Sequence, residues 1–271
     1  MPELPEVEVT RLGLKSLLML SVKEVTIRNY SLRWPIDTSL PQVLKNQILL
    51  DLHRRGKYIL ARFSDGTLIF HLGMSGRLCI VSNNETLNKH DHVDIVFKKD
   101  NSILRYRDPR RFGSILWTKE DPCNHKLIKN LGLEPLNNEF NTEYLYQKLR
   151  NKSQCIKNSI MDSRLVVGVG NIYASESLYD AGIRPNRASK KISKREVFAL
   201  VKSIKSVIKN AISRGGSSIN DFFDVNGENG YFQNEHKVYG REDKPCFQCQ
   251  FPITQLKLGQ RSSFFCKKCQ R

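Results

Sequence analysis

The residues at the start of this chain have types suited to covalent chemistry. Pro2 follows Met1, Glu3 follows at once, and a second carboxylate sits at Glu6. A small second residue such as Pro permits removal of Met1, which leaves a secondary amine. An α-amino group has a pKa of about 7.7–8.0, so roughly a tenth of it is unprotonated at pH 7 and able to attack carbon. Taken alone, these residues also fit a plainer role, with Pro2 protecting the terminus and Pro5 opening a helix.

A second constellation lies at the other end. Cys246-Phe247-Gln248-Cys249 and Cys266-Lys267-Lys268-Cys269 are two C-x-x-C pairs with sixteen residues between them. Two knuckles that each offer two thiolates complete a tetrahedral sulfur site, the donor set of one structural zinc ion. Four protein ligands leave no open position, so such a metal folds the tail rather than catalysing. Cys79, Cys123 and Cys155 are left over as packing residues. Between the pairs, Arg261 falls near a turn, where it serves either as one more phosphate contact or as a cation facing a reacting phosphate or sugar.

Two loop tips carry side chains suited to DNA. Met74 sits in the Gly-flanked turn of His71-Leu72-Gly73-Met74-Ser75-Gly76, and a flexible apolar side chain there suits insertion between bases. Asp108-Pro109-Arg110-Arg111-Phe112-Gly113 joins two cations to an aromatic, which fits phosphate contact and base stacking together. Met74 and Phe112 would equally serve as caps on a core. Gly168-Val169-Gly170-Asn171 opens a helix whose backbone N–H groups suit a phosphate. It lacks the Lys-Ser/Thr of a P-loop, and nucleotide binding is rejected. Lys57 begins a basic strand and by itself is a surface cation.

These residues need a scaffold. Residues 5–20 read as a helix. From 22 to 118, period-two runs at 22–27, 48–63, 67–72, 93–97 and 103–106, with turn signals between, predict an antiparallel sandwich or barrel. Past Pro122 the pattern turns helical, over 141–150, 175–181 and 193–214. The chain carries 44 Lys+Arg against 27 Asp+Glu, a net charge of +17, and nucleic acid is the leading polyanion for that excess, with ribosomal or membrane-surface binding as competitors. No apolar run is long enough to span a membrane, and no signal peptide is seen. The chain is expected to be cytoplasmic, where seven Cys argue for metal or free thiols over disulfides.

The motifs MPELPEVE, RRGKY, HLGMSG, KHDHVD, DPRRFG, LVVGVGNIYASESL, GYFQ…VYGR and GQRSSFFC occur in this order, and over its full length the chain resembles bacterial formamidopyrimidine-DNA glycosylase. The resemblance implies an α+β fold: an antiparallel β-sandwich with an N-terminal helix over 1–130, a helical domain with a helix–two-turns–helix over 131–236, and a β-hairpin zinc finger with four cysteine ligands over 237–271. It implies a monomer acting on double-stranded DNA containing oxidised bases, with no membrane partner. It implies excision of 8-oxoguanine and formamidopyrimidines, then cleavage of the abasic site by β,δ-elimination. Pro2 resembles the nucleophile that attacks C1′, Glu3 the acid/base, Glu6 a pocket support, and Lys57 the proton donor in β-elimination. Arg261 resembles the finger residue that grips the lesion phosphate and assists δ-elimination. His90, Arg110, Arg111, Lys152 and Asn171 match DNA-contacting positions. Met74, Arg110 and Phe112 match the trio that fills the void left by base flipping. Residues 217–231 correspond to a flap over the everted base. Two alternatives remain: an endonuclease VIII-like glycosylase for oxidised pyrimidines, and a non-catalytic zinc-containing damaged-DNA-binding protein. The Met74/Arg110/Phe112 set argues against the first, and the intact Pro2, Glu3 and Lys57 against the second.

Overall fold

The computed structural model describes residues 2–82, 84–99, 101–217, 225 and 230–271. Met1, on whose removal the Pro2 amine depends, lies outside the described residues, as does most of the expected flap. The chain forms two compact units: Met1–Lys129 with Gly215–Tyr231, and Asn130–Arg214 with Phe232–Arg271. No helix among the described residues is long and apolar enough to cross a membrane.

The first unit opens with α1 (Leu4–Gly13) and continues through β1 (Val22–Ile27), α2 (Leu40–Leu44), β2 (Leu49–Arg55), β3 (Tyr58–Phe63) and β4 (Gly66–His71). It ends with β5 (Arg77–Val81), β6 (Asp91–Phe97), β7 (Ile103–Arg107) and β8 (Ser114–Thr118). Two antiparallel sheets, ordered β1-β6-β7-β5 and β2-β3-β4-β8, make the expected sandwich. Inward residues of both sheets, among them Val93, Phe97, Leu104, Ile59, Phe63 and Phe70, share one core with Val7, Leu14 and Leu17. Burying each such side chain contributes roughly 1.5–3 kcal/mol.

Three local expectations are corrected. The helix read over 5–20 ends at Gly13, a weak helix former, and tightens into a 3-10 turn over Leu14–Leu17. The single alternating run over 48–63 is a hairpin: Arg55 pairs with Tyr58 across the two-residue turn Gly56-Lys57, and Gly56 supplies φ +57°. Strands β5 and β8 are absent from the sequence reading, because their apolar runs are short and lie next to the Gly- and Arg-rich loop tips.

In the second unit α3 (Thr142–Arg150), α4 (Ile156–Ile160), α5 (Asn171–Asp180) and α6 (Lys194–Ser213) pack together. α6 buries Val197, Leu200, Val201, Ile204, Val207 and Ile208 at helical spacing, and the Ser193/Glu196 capping box starts it. The link between α4 and α5 turns first over 162–166, where Leu165 and Val166 N–H donate to the Asp162 carbonyl, and again at Gly168. α5 begins at Asn171, directly after the Gly-rich turn expected to open a helix and four residues before the start of the periodic stretch read over 175–181. The chain closes with the hairpin β9 (Ile253–Leu258) and β10 (Arg261–Cys266), joined by Gly259-Gln260 with Gly259 at φ +60°.

Candidate active site and nucleic-acid interface

In the first unit, α1 carries Pro2 and Glu3 at its start. Pro2, Glu3 and Glu6 are all buried. Glu3 is the N-cap and forms a capping box with Glu6, whose Oε2 accepts the Glu3 N–H at 2.8 Å. The other Glu6 oxygen accepts the Ser217 N–H at 2.8 Å. A Cβ on Gly216, which sits at φ +79°, would come within 3.0 Å of Glu6 Oε1, so the loop meets the carboxylate at a residue that only glycine fills without strain. Two residues further on, Glu8 binds Arg11 at 2.6 Å and Arg54 at 2.9 Å, and Arg11 also donates to the Leu52 carbonyl at 3.0 Å. These bonds lock α1 onto β2. Burial opposes ionisation of Glu8, but the two guanidiniums outweigh it and hold the carboxyl below its ordinary range.

Lys57, half-buried, occupies the second position of the β2–β3 turn. Across the next strand pair, Tyr58 faces His71 with ring centroids 4.8 Å apart. Burial, reinforced by the positive charges of Lys57 and Arg33, pushes the His71 pKa down to about 4. The neutral ring uses Nδ1 to accept the Gly73 N–H at 3.2 Å. That bond sets the turn presenting Met74, which is 42 % exposed. On the neighbouring tip Arg110 stacks on Phe112 at 4.8 Å, Phe112 is 43 % exposed, and Arg111 adopts φ +57°. The pair Met74 and Phe112 therefore stands out from the core and does not cap it. His90 lies partly exposed at the head of β6, its ring 6.5 Å from that of His92.

In the second unit the four cysteine sulfurs lie within 4.8 Å of one another. Cys246 and Cys269 are 3.8 Å apart, and Cys249 and Cys266 3.5 Å. The edge of a tetrahedron with zinc–sulfur bonds of about 2.3 Å is about 3.8 Å, so this donor set fits a tetrahedral metal. Arg261 is exposed beside the tight turn of the hairpin. The strand that carries it is held at one point by two donors, since Asn171 Nδ2 and Lys157 Nζ each donate to the Ser262 carbonyl at 3.0 Å. Lys152 is half-exposed and lies 3.4 Å from the Asp162 carboxylate.

Sequence reasoning misses the role of the helix that seats the finger. Along α5, Asn171 holds Ser262, the buried Glu176 carboxyl accepts the N–H groups of Lys237, Val238 and Tyr239 at 2.8–3.0 Å, and Tyr179 Oη lies 3.2 Å from Cys246 Sγ. Burial raises the Glu176 pKa even though the three amides favour its charged form. Lys157, only 1 % exposed, is missed likewise. Polar residues inside an apolar helix pattern are the available signal.

Comparison with known proteins sets this geometry in context. Residues 1–115 match the family model of the formamidopyrimidine-DNA glycosylase N-terminal domain, and residues 131–223 that of the formamidopyrimidine-DNA glycosylase H2TH domain. Formamidopyrimidine-DNA glycosylase of Methylobacillus flagellatus is 53 % identical over 100 % of this chain and 97 % of its own length. That of Acinetobacter baylyi is 49 % identical over 100 % and 98 %. Among solved structures, a Lactococcus lactis Fpg mutant in complex with DNA containing Fapy-dG superposes with a TM-score of 0.92 at 30 % identity, covering 100 % of both chains. Wild-type Lactococcus lactis Fpg in complex with DNA containing an oxidised pyrimidine gives 0.91 at 30 % identity over 100 % of both. The Thermus thermophilus MutM (Fpg) protein gives 0.88 at 31 %, covering 99 % of this chain and 98 % of that one.

Proposed function

The chain belongs to the formamidopyrimidine-DNA glycosylases of base excision repair, and we propose that it excises oxidised purines from double-stranded DNA through an imine on Pro2 and then cuts the strand by β,δ-elimination. The observation that carries this reading is the burial of Glu3 and Glu6 at the head of α1, directly beside Pro2.

The chemistry follows from the residue types. With Met1 removed, the Pro2 nitrogen attacks C1′ while the C1′–base bond breaks, and the leaving base or the sugar ring oxygen takes a proton from Glu3. Opening of the sugar leaves an iminium on Pro2. Because the amine is secondary, this iminium is permanently cationic, and it acidifies the C2′–H. Loss of that proton expels the 3′ phosphate, with Lys57 as proton donor. Arg261 holds the phosphate and assists the second elimination, which expels the 5′ phosphate. Hydrolysis of the imine returns the Pro2 amine. Glu6 carries no proton in this scheme; it fixes Glu3 and the 217 loop. Met74, Arg110 and Phe112 occupy the space that the everted base leaves, with Arg110 meeting the orphaned partner. Arg111, His90, Lys152 and Asn171 hold the backbone. Cys246, Cys249, Cys266 and Cys269 take one structural zinc ion, which fixes the hairpin that presents Arg261. The working divisions are 1–130 for catalysis, 131–236 for DNA and 237–271 for the finger, in a monomeric cytoplasmic protein.

Borohydride reduction tests the reading. Met-free protein with duplex DNA containing 8-oxoguanine opposite C should form a covalent adduct, and absence of any adduct overturns the proposal. A second reading extends the substrates to oxidised pyrimidines, favoured by the pyrimidine-lesion complex of the Lactococcus lactis relative. A panel of lesions in the same assay ranks the two.

A further inference from the structure

We propose that Asp108 is a positioning residue that joins the Met74 loop and the Arg110–Phe112 tip into one rigid wedge. The proposal rests on the base-flipping reading above and adds to it the group that makes two loops act as a unit.

Asp108 follows the last residue of β7 and is 0 % exposed. Its Oδ1 accepts the Ser75 hydroxyl at 2.7 Å, and its Oδ2 accepts the Gly113 N–H at 2.9 Å and the Tyr106 hydroxyl at 3.1 Å. Its own N–H donates to the His90 carbonyl at 3.1 Å. Its carbonyl accepts from His92 Nε2 at 2.8 Å and from the Arg111 N–H at 3.2 Å. Ser75 relays the connection, because its Oγ accepts the Arg110 N–H at 3.1 Å. A single buried side chain thus reaches the residue after Met74, the residue after Phe112 and the backbone of Arg110.

The two tips also meet backbone to backbone. A Cβ on Gly73 would lie 2.4 Å from the Phe112 carbonyl carbon. Without a shared anchor, each exposed tip would have to be ordered separately when it enters the helix, and that entropy would be lost from binding. Ordering them beforehand lowers the barrier to inserting both. Only a carboxylate accepts three donors here, since an Asn would turn an N–H2 towards one of them.

The test compares two substrates for wild type, Asp108→Asn and Ser75→Ala: a duplex with 8-oxoguanine, whose base must be pulled from the stack, and a duplex with a pre-formed abasic site, which has no base to extract. Base release by Asp108→Asn should fall about tenfold or more relative to abasic-strand cleavage, the scale of one buried hydrogen-bond donor left unpaired. Ser75→Ala, which spares the Gly113 and Tyr106 bonds, should shift the same ratio in the same direction by less. The proposal is overturned if both substrates are lost in parallel with a fall in melting temperature, or if neither ratio moves. Wild type inactive on both substrates removes the underlying reading and this inference with it. Active wild type with an unmoved Asp108→Asn ratio overturns this inference alone.

Discussion

Glu6 accepts the Ser217 N–H at 2.8 Å across a sequence separation of 211 residues. The same carboxylate accepts the Glu3 N–H at 2.8 Å. One buried side chain therefore sets both the residue that follows Pro2 and the first residue of the segment proposed to cover the everted base.

Replacing Glu6 by Gln turns an N–H2 towards one of those two amides. The expected cost is about 1–3 kcal/mol, the penalty of a buried donor left without an acceptor. Chemical denaturation should report it as a lower midpoint at unchanged m-value, and base excision should fall with it. A midpoint equal to wild type would mean that the 217 segment does not depend on Glu6.

The terminal amine is the centre of the proposed chemistry. Pro2→Gly leaves a primary terminal amine whose imine is not permanently cationic, and it should lose most of the borohydride trapping, about a hundredfold or more. Retention of Met1 converts the Pro2 nitrogen to an amide and should give the same loss with the fold intact. Mass spectrometry of the terminus, alongside trapping, checks both.

The finger should matter for DNA more than for the sandwich. Arg261→Ala should lower affinity and reduce the salt dependence of binding by about one phosphate contact. Stripping the proposed zinc with a chelator should weaken binding further while the β-sheet signal of the first unit persists. Unchanged affinity of the metal-free protein contradicts the role given to the hairpin.

Tyr179 offers a separate handle on the metal. Against a thiolate its hydroxyl donates to Cys246 Sγ, and Tyr179→Phe removes only that donor. Outer hydrogen bonds of this kind are worth about 10–100-fold in metal affinity. A competition titration with a zinc chelator measures the difference, and equal affinities would show that the contact is incidental.

Acid should destabilise the protein before its carboxylates titrate. His71 and His236 have pKa values pushed from 6.5 down to about 4, in both cases chiefly by burial. Between those values the unfolded chain binds protons that the folded one refuses, so the histidine contribution to stability falls as pH drops from about 6.5 to about 4 and levels off below. Each ring contributes on the order of a few kcal/mol across that window. His236→Phe, which keeps an aromatic among Phe232 and Tyr239, should flatten the dependence of melting temperature on pH. A slope identical to wild type would exclude His236 as a source.

Most of the elements, though not β5 or β8, and the chemistry available to each site are legible in the amino-acid pattern alone. Period-two and helical patterns specify a sandwich or barrel followed by helices, because burial of one face demands that spacing. The Cys spacing specifies the thiolate cluster, and the residue types at Pro2, Glu3, Met74 and Arg110 specify what each is able to do. Which polar groups hold those residues in place is visible only in the folded chain. Glu176 takes three amides at the start of the finger, just as Glu6 finds Ser217 and Asp108 ties Ser75 to Gly113. Such partners are set by where strands and loops meet after folding. A single buried acid leaves no period in the sequence, and its donors are mostly backbone N–H groups that every residue but proline carries.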